Sequence, residues 1–561
     1  MSDYTHPEEL FGAATVPEIL ARAGRGERGI TLIDGGLRET PLPYALLAAT
    51  ANRVATGLAR VGVRPGDRVA LVSTTSPRFL LSLFGVWRAG AVPAVIAPPH
   101  RLTDLAAIMA DLRRRIAHLD ACCLVVADSF GEFISKRIGP EVPVLTCGEL
   151  VTGRADDPPR HQPAPEDIAY LQFTSGTTGP SKAVVLTHRQ LLTNVAVCCQ
   201  RLLVEGVNSV HVSWAPLYHD LGLVAVLSAV AARIHLILQA PEAFLAAPDS
   251  FVDALSKFRA TSTVAPNFAY GLAGDGMRLR PRRLDLSALR VCGDGSEPTR
   301  PGPVEAFTTY GAPYGLRPSA ITPMYGLAEA TLSVTMGDRF APLSWDVVSR
   351  QSLCSGGTAD PASPGESAAR TLAVCGDAVP GVTVTIQDAR GANVPDRVIG
   401  EICVQGPSVM LGYWQAPEAT AEVIRDGWLR TGDLGYRTPA GIVVCGRGKD
   451  MIIIGGANLY PEDYEHVAAQ ADISVTRCAA FAVPDEERMI VAVELAGDVD
   501  PNAVADAVMA RLRGELGHAP DRVVVIGRNA IPRTSSGKVQ RGRCRESYFT
   551  GRLPVLAESA R

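Results

Sequence analysis

The sequence predicts an α/β protein with a large, multi-lobed N-terminal domain and a small, mobile α+β domain at its C-terminus. Short apolar runs alternate with helical patterns through most of the chain, which is typical of α/β lobes with mainly parallel sheets. Beyond residue 380 the pattern changes to short strands joined by tight turns. Because 561 residues exceed one ordinary hydrophobic core, we expect two α/β lobes, a small β-rich lobe and the terminal domain.

Apolar periodicity places the elements of the N-terminal domain. Strands are predicted at 69–72, 92–96, 123–127 and 234–238, and helices at 44–61 and 105–116. Strands at 382–388, 400–405 and 441–445 would form the β-rich lobe. The best candidate for a membrane span is 221–240, but Arg233 and His235 interrupt it, and a charge near the centre of a span costs about 3 kcal/mol. We therefore expect a buried helix followed by a strand.

The terminal domain has its own pattern of strands and helices. Strands are predicted at 451–454, 478–483, 489–495 and 522–525, and helices near 461–470 and 501–516. The polar turn 446–450 is the natural linker. We therefore expect an N-terminal domain over 1–446, a hinge over 447–450 and a C-terminal cap over 451–561.

Composition and charge restrict the classes of function. The net charge of −4 gives no reason to expect nucleic acid or an anionic membrane surface as a partner. The 12 cysteines show no framework spacing and no C-x-x-C pair, so buried free thiols in a cytoplasmic protein are expected. The first residues carry early acids and no basic-then-apolar block, so a secretory signal is not predicted.

The most informative segment is 171–188, LQFTSGTTGPSKAVVLTH. A hydroxyl- and glycine-rich loop lies between two strand-like runs. Glycines let backbone N–H groups approach an anion, hydroxyls donate further hydrogen bonds, and Lys182 adds positive charge. The segment therefore predicts a phosphate-binding loop, with a mobile Ser/Gly hairpin as the alternative. A Walker A loop is excluded, because its second glycine would fall at Ser181.

Four further segments carry side chains suited to nucleotide chemistry. Tyr325 precedes Glu329 by four residues, and an aromatic face can stack on adenine while a carboxylate can hold Mg²⁺. The other three segments are GWLRTGDLG with Asp433, GRGKD with Arg447 and Lys449, and PRTSSGK with Lys538. Singly, each has an ordinary interpretation: a packed tyrosine at a helix start, a capping aspartate, a charged surface turn and an exposed lysine.

Together and in this order, the five segments resemble the motifs of the acyl-adenylate-forming superfamily, which includes acyl-CoA synthetases, luciferases and peptide-synthetase adenylation domains. The resemblance covers nearly the whole chain and implies ATP and Mg²⁺. It implies Glu329 and Thr177 at the metal, Lys449 as the hinge residue, and Lys538 bridging the substrate carboxylate and the α-phosphate. The nucleotide site that it implies consists of Thr174, Ser175, Gly176, Thr177, Thr178, Gly179, Lys182, Gly295, Ser296, Glu297, Tyr325, Gly326, Asp433 and Arg447.

Within the superfamily, three stretches resemble the fatty acyl-AMP ligases: WAPLYHDLGL at 214–223, APNFAY at 265–270 and YGLAEATL at 325–332. This implies an extra segment after the Glu-bearing motif that hinders the rotated state in which CoA attacks. The stretch 333–374 is long enough for it, with 345–348 (WDVV) as its apolar anchor; an unrelated surface excursion is the alternative. The adenine segment departs from the family's usual N/S-G-A-E-P, because it reads D-G-S-E-P at 294–298.

The acyl pocket is expected between the phosphate loop and the predicted helix after residue 221, where small residues such as Gly222, Ala225 and Ala229 leave room for a bulky apolar acid. The residues expected there are Trp214, His219, Asp220, Gly222, Leu223, Asn267 and Leu327. His219 could orient the substrate carboxylate, and a structural pairing with Asp220 is the alternative. No carboxylate is placed to anchor an α-amine, which disfavours amino acids.

The chemistry suits these residue types. A carboxylic acid is already ionised at pH 7, so the obstacle is its repulsion from polyphosphate, which Lys538 and Mg²⁺ would reduce. With Lys538, Glu329 and His219 as catalytic residues, the sequence predicts an enzyme that converts ATP and a long or bulky apolar acid into acyl-AMP and pyrophosphate. The acyl group would pass to a carrier protein or another separate acceptor. An acyl-CoA synthetase is the main alternative, and a non-catalytic ATP- or acyl-binding protein is a remote one.

Overall fold

The fold has the predicted class: large α/β lobes, a β-rich lobe and a small α+β domain at the C-terminal end. The structure is a computed structural model that describes residues 5–98, 105–152, 161–174, 182–202, 206–339, 341–366, 369–484, 486–534 and 537–560. All 12 cysteines are free, and most are buried, as the sequence predicts.

A mixed sheet organises the largest lobe. Its strands, in spatial order, are Asp377–Ala378, Ser333–Met336, Ile321–Gly326, Val291–Asp294, Ser262–Ala265, Val210–Ser213, His235–Gln239, Gly29–Ile33 and Glu39–Pro43. The six strands from Ile321–Gly326 to Gly29–Ile33 run parallel, and the outer ones are antiparallel. Parallel strands need cover on both faces, which explains their nearly continuous burial.

Helices cover both faces of this sheet. One face packs against Val16–Ala23, Tyr44–Arg60, His188–Leu202 and Asp220–Ala232. The other face packs against Pro241–Ala246, Asp249–Lys257, Asn267–Leu279 and Pro301–Gly311. The predicted buried helix followed by a strand within 221–240 is confirmed as Asp220–Ala232 and His235–Gln239. Within the described ranges, none of the helices has both the length and the apolarity to cross a membrane.

A second α/β lobe contains a parallel sheet and a small antiparallel one. The parallel sheet has the order Val92–Ile96, Arg68–Val72, Ala121–Val126, Val144–Thr146. The antiparallel sheet has the order Gly412–Tyr413, Ala183–Thr187, Ile168–Phe173. The remaining helices of the N-terminal region are Pro7–Phe11, Pro77–Arg88, Leu105–Leu119, Gly131–Ile138, Cys147–Thr152 and Pro417–Val423. The predicted phosphate loop therefore joins two paired strands.

The β-rich lobe follows residue 380, as predicted. Its strands are Thr383–Gln387, Gly400–Gln405, Trp428–Thr438, Ile424–Arg425 and Gly441–Arg447. Before it, the strands Trp345–Ser349 and Ala369–Ala373 form an antiparallel pair, which we call the insertion hairpin. The anchor of this hairpin is only partly apolar. Val348 is buried, whereas Asp346 accepts hydrogen bonds from Tyr436 and Arg397.

The C-terminal region forms its own cores around a four-stranded sheet. Its elements are the strands Ile452–Ile454, Ala457–Leu459, Val475–Ala482, Met489–Leu495, Arg522–Ile526 and Val555–Ala560, and the helices Pro461–Ala469, Pro501–Leu516 and Arg541–Phe549. The last helix and the last strand were not predicted. Between the two regions lies one 3₁₀ turn, Gly448–Asp450. The domain limits at 446 and 451 stay predictions.

Candidate active site

A cavity of about 2200 Å³ opens where the α/β lobes, the β-rich lobe and the C-terminal region meet. Each part of the chain contributes to its lining. Among the predicted residues that line it are Thr174, Lys182, His219, Asp220, Asn267, Gly295, Ser296, Glu297, Tyr325, Gly326, Leu327, Glu329, Asp433, Arg447, Lys449 and Lys538. The cavity thus brings residues from distant motifs to one place.

Asp433 is held by two donors at one corner of the cavity. The Tyr325 hydroxyl donates to Asp433 Oδ2 at 2.8 Å, and Arg447 Nε donates to Oδ1 at 2.9 Å. Asp433 and Arg447 lie opposite each other on paired strands, so the sheet itself fixes this ion pair. The fixed carboxylate keeps lone pairs available for hydroxyl groups such as those of a ribose.

Gly326, directly after Tyr325, permits a close approach of the backbone. A Cβ atom added to Gly326 would lie 1.7 Å from the carbonyl oxygen of Leu332. The residue must therefore be glycine for the Tyr325-to-Leu332 segment to fold back on itself.

Glu329 and Lys182 meet at Tyr413. The Tyr413 hydroxyl donates to Glu329 Oε1 at 2.8 Å, and Lys182 Nζ lies 4.7 Å from the centroid of the Tyr413 ring. Glu329 sits in the single turn Ala328–Ala330, whose backbone is fixed by a hydrogen bond from Met410 N to Glu329 O. The carboxylate is thereby oriented, with its second oxygen available.

This carboxylate fits a magnesium ion. Mg²⁺ is usually bound by one or two carboxylates together with substrate phosphates, not by an all-protein cage. The described part of the chain contains no group of three or more His, Cys, Asp or Glu residues that could hold a metal ion. Thr177, the second predicted ligand, lies outside the described residues.

The phosphate loop is described at its two ends. Thr174 N donates to Lys182 O at 2.9 Å, which closes the hairpin between the flanking strands. Ser175, Gly176, Thr177, Thr178 and Gly179 lie outside the described residues. Thr174 and Lys182, the two described ends of the loop, both line the cavity.

The segment predicted to approach adenine contains a buried acid. Asp294 accepts a hydrogen bond from Asn267 Nδ2 at 2.6 Å, and its other oxygen has no partner. Burial raises the pKa of Asp294 to about 8. Ser296 has a φ of 72°, which is unusual for a residue other than glycine and often marks a functional site. Glu297 faces the cavity and accepts a hydrogen bond from Phe268 N at 2.7 Å.

Lys538 reaches this cavity from the C-terminal region. Its backbone is connected to Thr534, whose N–H donates to Lys538 O at 2.8 Å. Its charge acts on two acids of the N-terminal region. Burial raises the pKa of Glu297, and Lys538 opposes that rise. Burial also raises the pKa of Asp220, but the charges of His219 and Lys538 outweigh it and hold that pKa below its usual value.

His219 Nδ1 lies within hydrogen-bonding distance of Asp220 Oδ1. Asp220 Oδ1 also accepts a hydrogen bond from Leu221 N at 2.7 Å. The structural pairing that the sequence suggested is therefore present. Since His219 also lines the cavity, the pairing fixes the ring while its other nitrogen stays available.

Comparison with known proteins agrees with this geometry. The model of the AMP-binding enzyme family matches residues 22–414, and that of the AMP-binding enzyme C-terminal domain matches residues 464–538. The chain is an AMP-binding enzyme. It belongs to the adenylate-forming superfamily that its motifs resemble.

Relatives of this AMP-binding enzyme cover nearly its whole length. A Caulobacter vibrioides protein named "Putative acyl-CoA synthetase" is 33% identical, over 96% of each chain. The long-chain-fatty-acid–AMP ligase FadD32 of Mycolicibacterium smegmatis is 30% identical, over 91% of this chain and 89% of its own. A structure from a study of fatty acyl-adenylate ligases of E. coli and L. pneumophila has a TM-score of 0.89 and 30% identity, over 97% of this chain and 99% of its own.

Three residues predicted for the acyl pocket of this AMP-binding enzyme are not among the described residues that line the cavity: Trp214, Gly222 and Leu223. Trp214 is buried and stacks on Phe244 with ring centroids 4.0 Å apart. Leu223 is a core residue of its helix. A Cβ atom on Gly222 would lie 2.2 Å from the carbonyl oxygen of Pro216, so glycine is required there by packing and not by room for a substrate.

The sequence did not identify Tyr413, Arg350, Arg370 or Asp463, which the structure places in or near the cavity. Arg350 and Arg370 lie on or beside the insertion hairpin and bind the two carboxylate oxygens of Asp463 in the C-terminal region, at 2.9 and 3.0 Å. Because the partners come from separate regions, no sequence spacing connects them.

Proposed function

We propose that this AMP-binding enzyme activates a carboxylic acid with ATP, forming acyl-AMP and releasing pyrophosphate, and then passes the acyl group to a carrier-protein thiol. One observation carries the proposal. Lys538 of the C-terminal region lines the same cavity as Asp433, Arg447, Glu329 and His219. A protein that only binds ATP or an acid has no need of a distant lysine at this position.

The nucleotide would lie across the corner formed by Asp433, Arg447 and Tyr325. Asp433, already fixed by Arg447 and the Tyr325 hydroxyl, would accept hydrogen bonds from the ribose diol. The Tyr325 ring would pack on adenine beside the 295–297 segment. The loop from Thr174 to Lys182 would hold the phosphates that leave as pyrophosphate.

The acid would react through its ionised carboxylate. One carboxylate oxygen attacks the α-phosphorus, the bond from that phosphorus to the oxygen bridging to the β-phosphate breaks, and pyrophosphate leaves. Lys538 would neutralise charge on the carboxylate and on the α-phosphate oxygens as they approach. His219, held by Asp220, would orient the carboxylate. No general base is needed, because the acid is ionised at pH 7.

Magnesium would be held by Glu329, with Thr177 as a predicted second ligand. When bound, the ion would neutralise charge on the phosphates. The oxygen of Glu329 that does not bind Tyr413 is the one available to it.

A carrier-protein thiol is the better-supported acceptor than CoA. The fatty acyl-AMP ligase and fatty acyl-adenylate ligase names of two relatives favour it. The insertion hairpin supports it further, since Arg350 and Arg370 bind Asp463 of the C-terminal region and would have to release it before that region rotates. A carrier protein that docks on the enzyme would offset this loss through its own contacts, whereas CoA offers far less contact surface. The finer predictions go with this proposal: a long or bulky apolar acid, a role in lipid or natural-product biosynthesis, a cytoplasmic location, and a hinge at Lys449.

Two measurements test the proposal. Release of pyrophosphate and of hydroxamate over a panel of carboxylic acids tests adenylation, and no release with any acid contradicts it. Product analysis with and without CoA tests the acceptor. We expect acyl-AMP in both cases, whereas stoichiometric acyl-CoA would assign the chain to the acyl-CoA synthetases instead.

A further inference from the structure

A small hollow of about 20 Å³ lies directly behind the main cavity. Leu221, Val264, Met324 and Leu332 line both spaces, so these four side chains form the partition between them. A hollow of this size has room for about one water molecule or one hydroxyl group. A group that entered from the main cavity and passed these four side chains would therefore place its far end in the hollow.

One face of the helix Asp220–Ala232 forms a wall of the hollow. The residues that it contributes are Leu221, Val224, Ala225, Ser228 and Ala229, which have the spacing of a single helix face. Ser228 is the polar member of this face. It is only 6% exposed, and its hydroxyl has no nitrogen or oxygen partner, although the Cys199 thiol of the neighbouring helix interacts with the Ser228 side chain. A thiol is a weak hydrogen-bonding group, and Ser228 lines a hollow that has room for a stronger partner.

His211 contributes a second polar group from the sheet. It lies on the strand Val210–Ser213, where Val212 packs on the opposite face of the sheet. The Nδ1 atom of His211 lies 2.9 Å from Ser262 Oγ, so this bond occupies Nδ1 and fixes the ring, and Nε2 is the nitrogen that a ligand would use. Burial lowers the pKa of His211 to about 4, so the ring is neutral at pH 7 and can donate or accept one hydrogen bond.

We propose that the hollow receives a hydroxyl group at the far end of the acyl chain, and that Ser228 and His211 determine specificity for it. The substrate class is then a carboxylic acid whose apolar chain or ring ends in a hydroxyl. This inference rests on the proposed function, because it takes the acid to be the group that enters from the main cavity. An acid with a methyl end would leave the Ser228 hydroxyl without a nitrogen or oxygen partner.

The test compares acids that differ only at the far end. Linear acids of increasing length are each assayed as the methyl-ended acid and as the ω-hydroxy acid, and phenylalkanoic acids with and without a para-hydroxyl group are assayed in parallel. The readout is kcat/KM for pyrophosphate release. In the unsubstituted enzyme we expect a preference of at least about tenfold for the hydroxylated member at one length or ring size.

Ser228→Ala should bring the ratio of kcat/KM for the hydroxylated acid to kcat/KM for the methyl-ended acid towards one. The kcat/KM for the methyl-ended acid should stay the same or rise. Thr335→Val is the matched control, because the Thr335 hydroxyl is also buried without a nitrogen or oxygen partner but Thr335 lines neither space. No preference at any length, or the same preference in Ser228→Ala, overturns the inference. Absence of pyrophosphate release with every acid would instead overturn the proposed function.

A second variant covers the case in which Ser228→Ala lowers the stability of the enzyme. Ala225→Val keeps Ser228 but fills the hollow with two further methyl groups. We expect it to lose activity with the preferred hydroxy acid and to keep activity with shorter methyl-ended acids. Unchanged activity with the preferred acid would show that the hollow does not receive it. Thermal unfolding of each variant checks that its fold is retained.

Discussion

Arg370 and Asp463 form an ion pair of 3.0 Å between the insertion hairpin and the first helix of the C-terminal region. Their side chains are only 8% and 10% exposed, so water screens the pair poorly. Arg350 binds the other oxygen of the same carboxylate, and Arg370 also donates to Cys445 O at 2.8 Å. The insertion hairpin is thereby connected to the C-terminal region in the arrangement that has Lys538 at the cavity.

Asp463→Asn should weaken this arrangement. Removing one partner of a buried ion pair typically costs about 3–5 kcal/mol, because the other charge stays buried. We expect a larger radius of gyration by small-angle scattering and at least about a tenfold lower rate of adenylation. Asp498→Asn, at an exposed position of the same region, is the control. Unchanged scattering and rate would mean that the pair does not hold the two regions together.

Lys538→Ala should keep ATP binding and lose adenylate formation. Removing one group that stabilises a transition state by charge typically lowers the rate by about 10²–10³. ATP–pyrophosphate exchange measures the reaction, and equilibrium binding of ATP measures the ground state. Lys136→Ala, at an exposed lysine that pairs with Glu132, is the control. Near-normal exchange in Lys538→Ala would contradict the assigned role.

Tyr325→Phe should weaken ATP binding with a smaller effect on the maximal rate. The variant keeps the ring that would pack on adenine but removes the hydrogen bond to Asp433. A hydrogen bond to a charged group contributes about 1.5–3 kcal/mol, which corresponds to roughly a tenfold or larger rise in the KM for ATP. Tyr310→Phe, outside the described cavity lining, should change nothing. An equal loss in both variants would contradict the prediction.

Asp294→Asn should change how stability depends on pH. Asp294 has a pKa of about 8 in the folded protein and an ordinary value of 3.8. Between these values the folded protein holds a proton that the unfolded chain has released, so this residue makes stability fall as pH rises towards 8. The neutral variant lacks this effect. We expect a flatter dependence of Tm on pH from about 5 to 9 and a relative gain at the alkaline end.

The comparison uses Asp498→Asn as its control, since that side chain is exposed. Parallel Tm curves for Asp294→Asn and the unsubstituted enzyme would show that the buried carboxyl does not bind a proton in this range.

Lys449→Pro should leave the first half-reaction intact and slow the transfer of the acyl group. Lys449 lies in the single turn Gly448–Asp450 that joins the two regions, and proline fixes φ there. Pyrophosphate exchange reports the first step, and acyl transfer to a carrier-protein thiol reports the second. Lys449→Ala, which keeps the backbone free to rotate, is the control. Normal transfer in the proline variant would argue that no rotation at this turn is needed.

The sequence predicted the α/β lobes well, because a buried parallel strand is a short, nearly continuous apolar run. The strand Val92–Ile96 was predicted with its observed limits for this reason. The helix Arg541–Phe549 was missed because Cys544 is its buried residue and the rest of the helix has no apolar face. Ion pairs hold it in place, since Arg541 binds Asp450 at 2.6 Å and Glu465 at 2.7 Å.

The site residues that belong to sequence motifs could be predicted. Those that reach the site only through the packing of separate elements could not. Tyr325, Asp433 and Arg447 come from separate motifs, and the structure brings them together. Gly222 was interpreted as leaving room for a substrate. In a sequence, a glycine that is required because a carbonyl lies close to it cannot be distinguished from a glycine that leaves space for a ligand. The pairing of Arg370 with Asp463 depends on how two regions dock, which no local pattern contains.

The contact between Lys182 and Tyr413 has a consequence for nucleotide affinity. The ammonium group rests against an aromatic ring before any phosphate arrives, and such contacts contribute about 0.5–1 kcal/mol at accessible sites. In the proposed function, in which Lys182 helps to hold the phosphates, an incoming triphosphate would compete with that ring for the cation, and this would cancel part of the attraction on entry. When pyrophosphate leaves, the ammonium group would return to its contact with the ring, and this contact would favour release of the product.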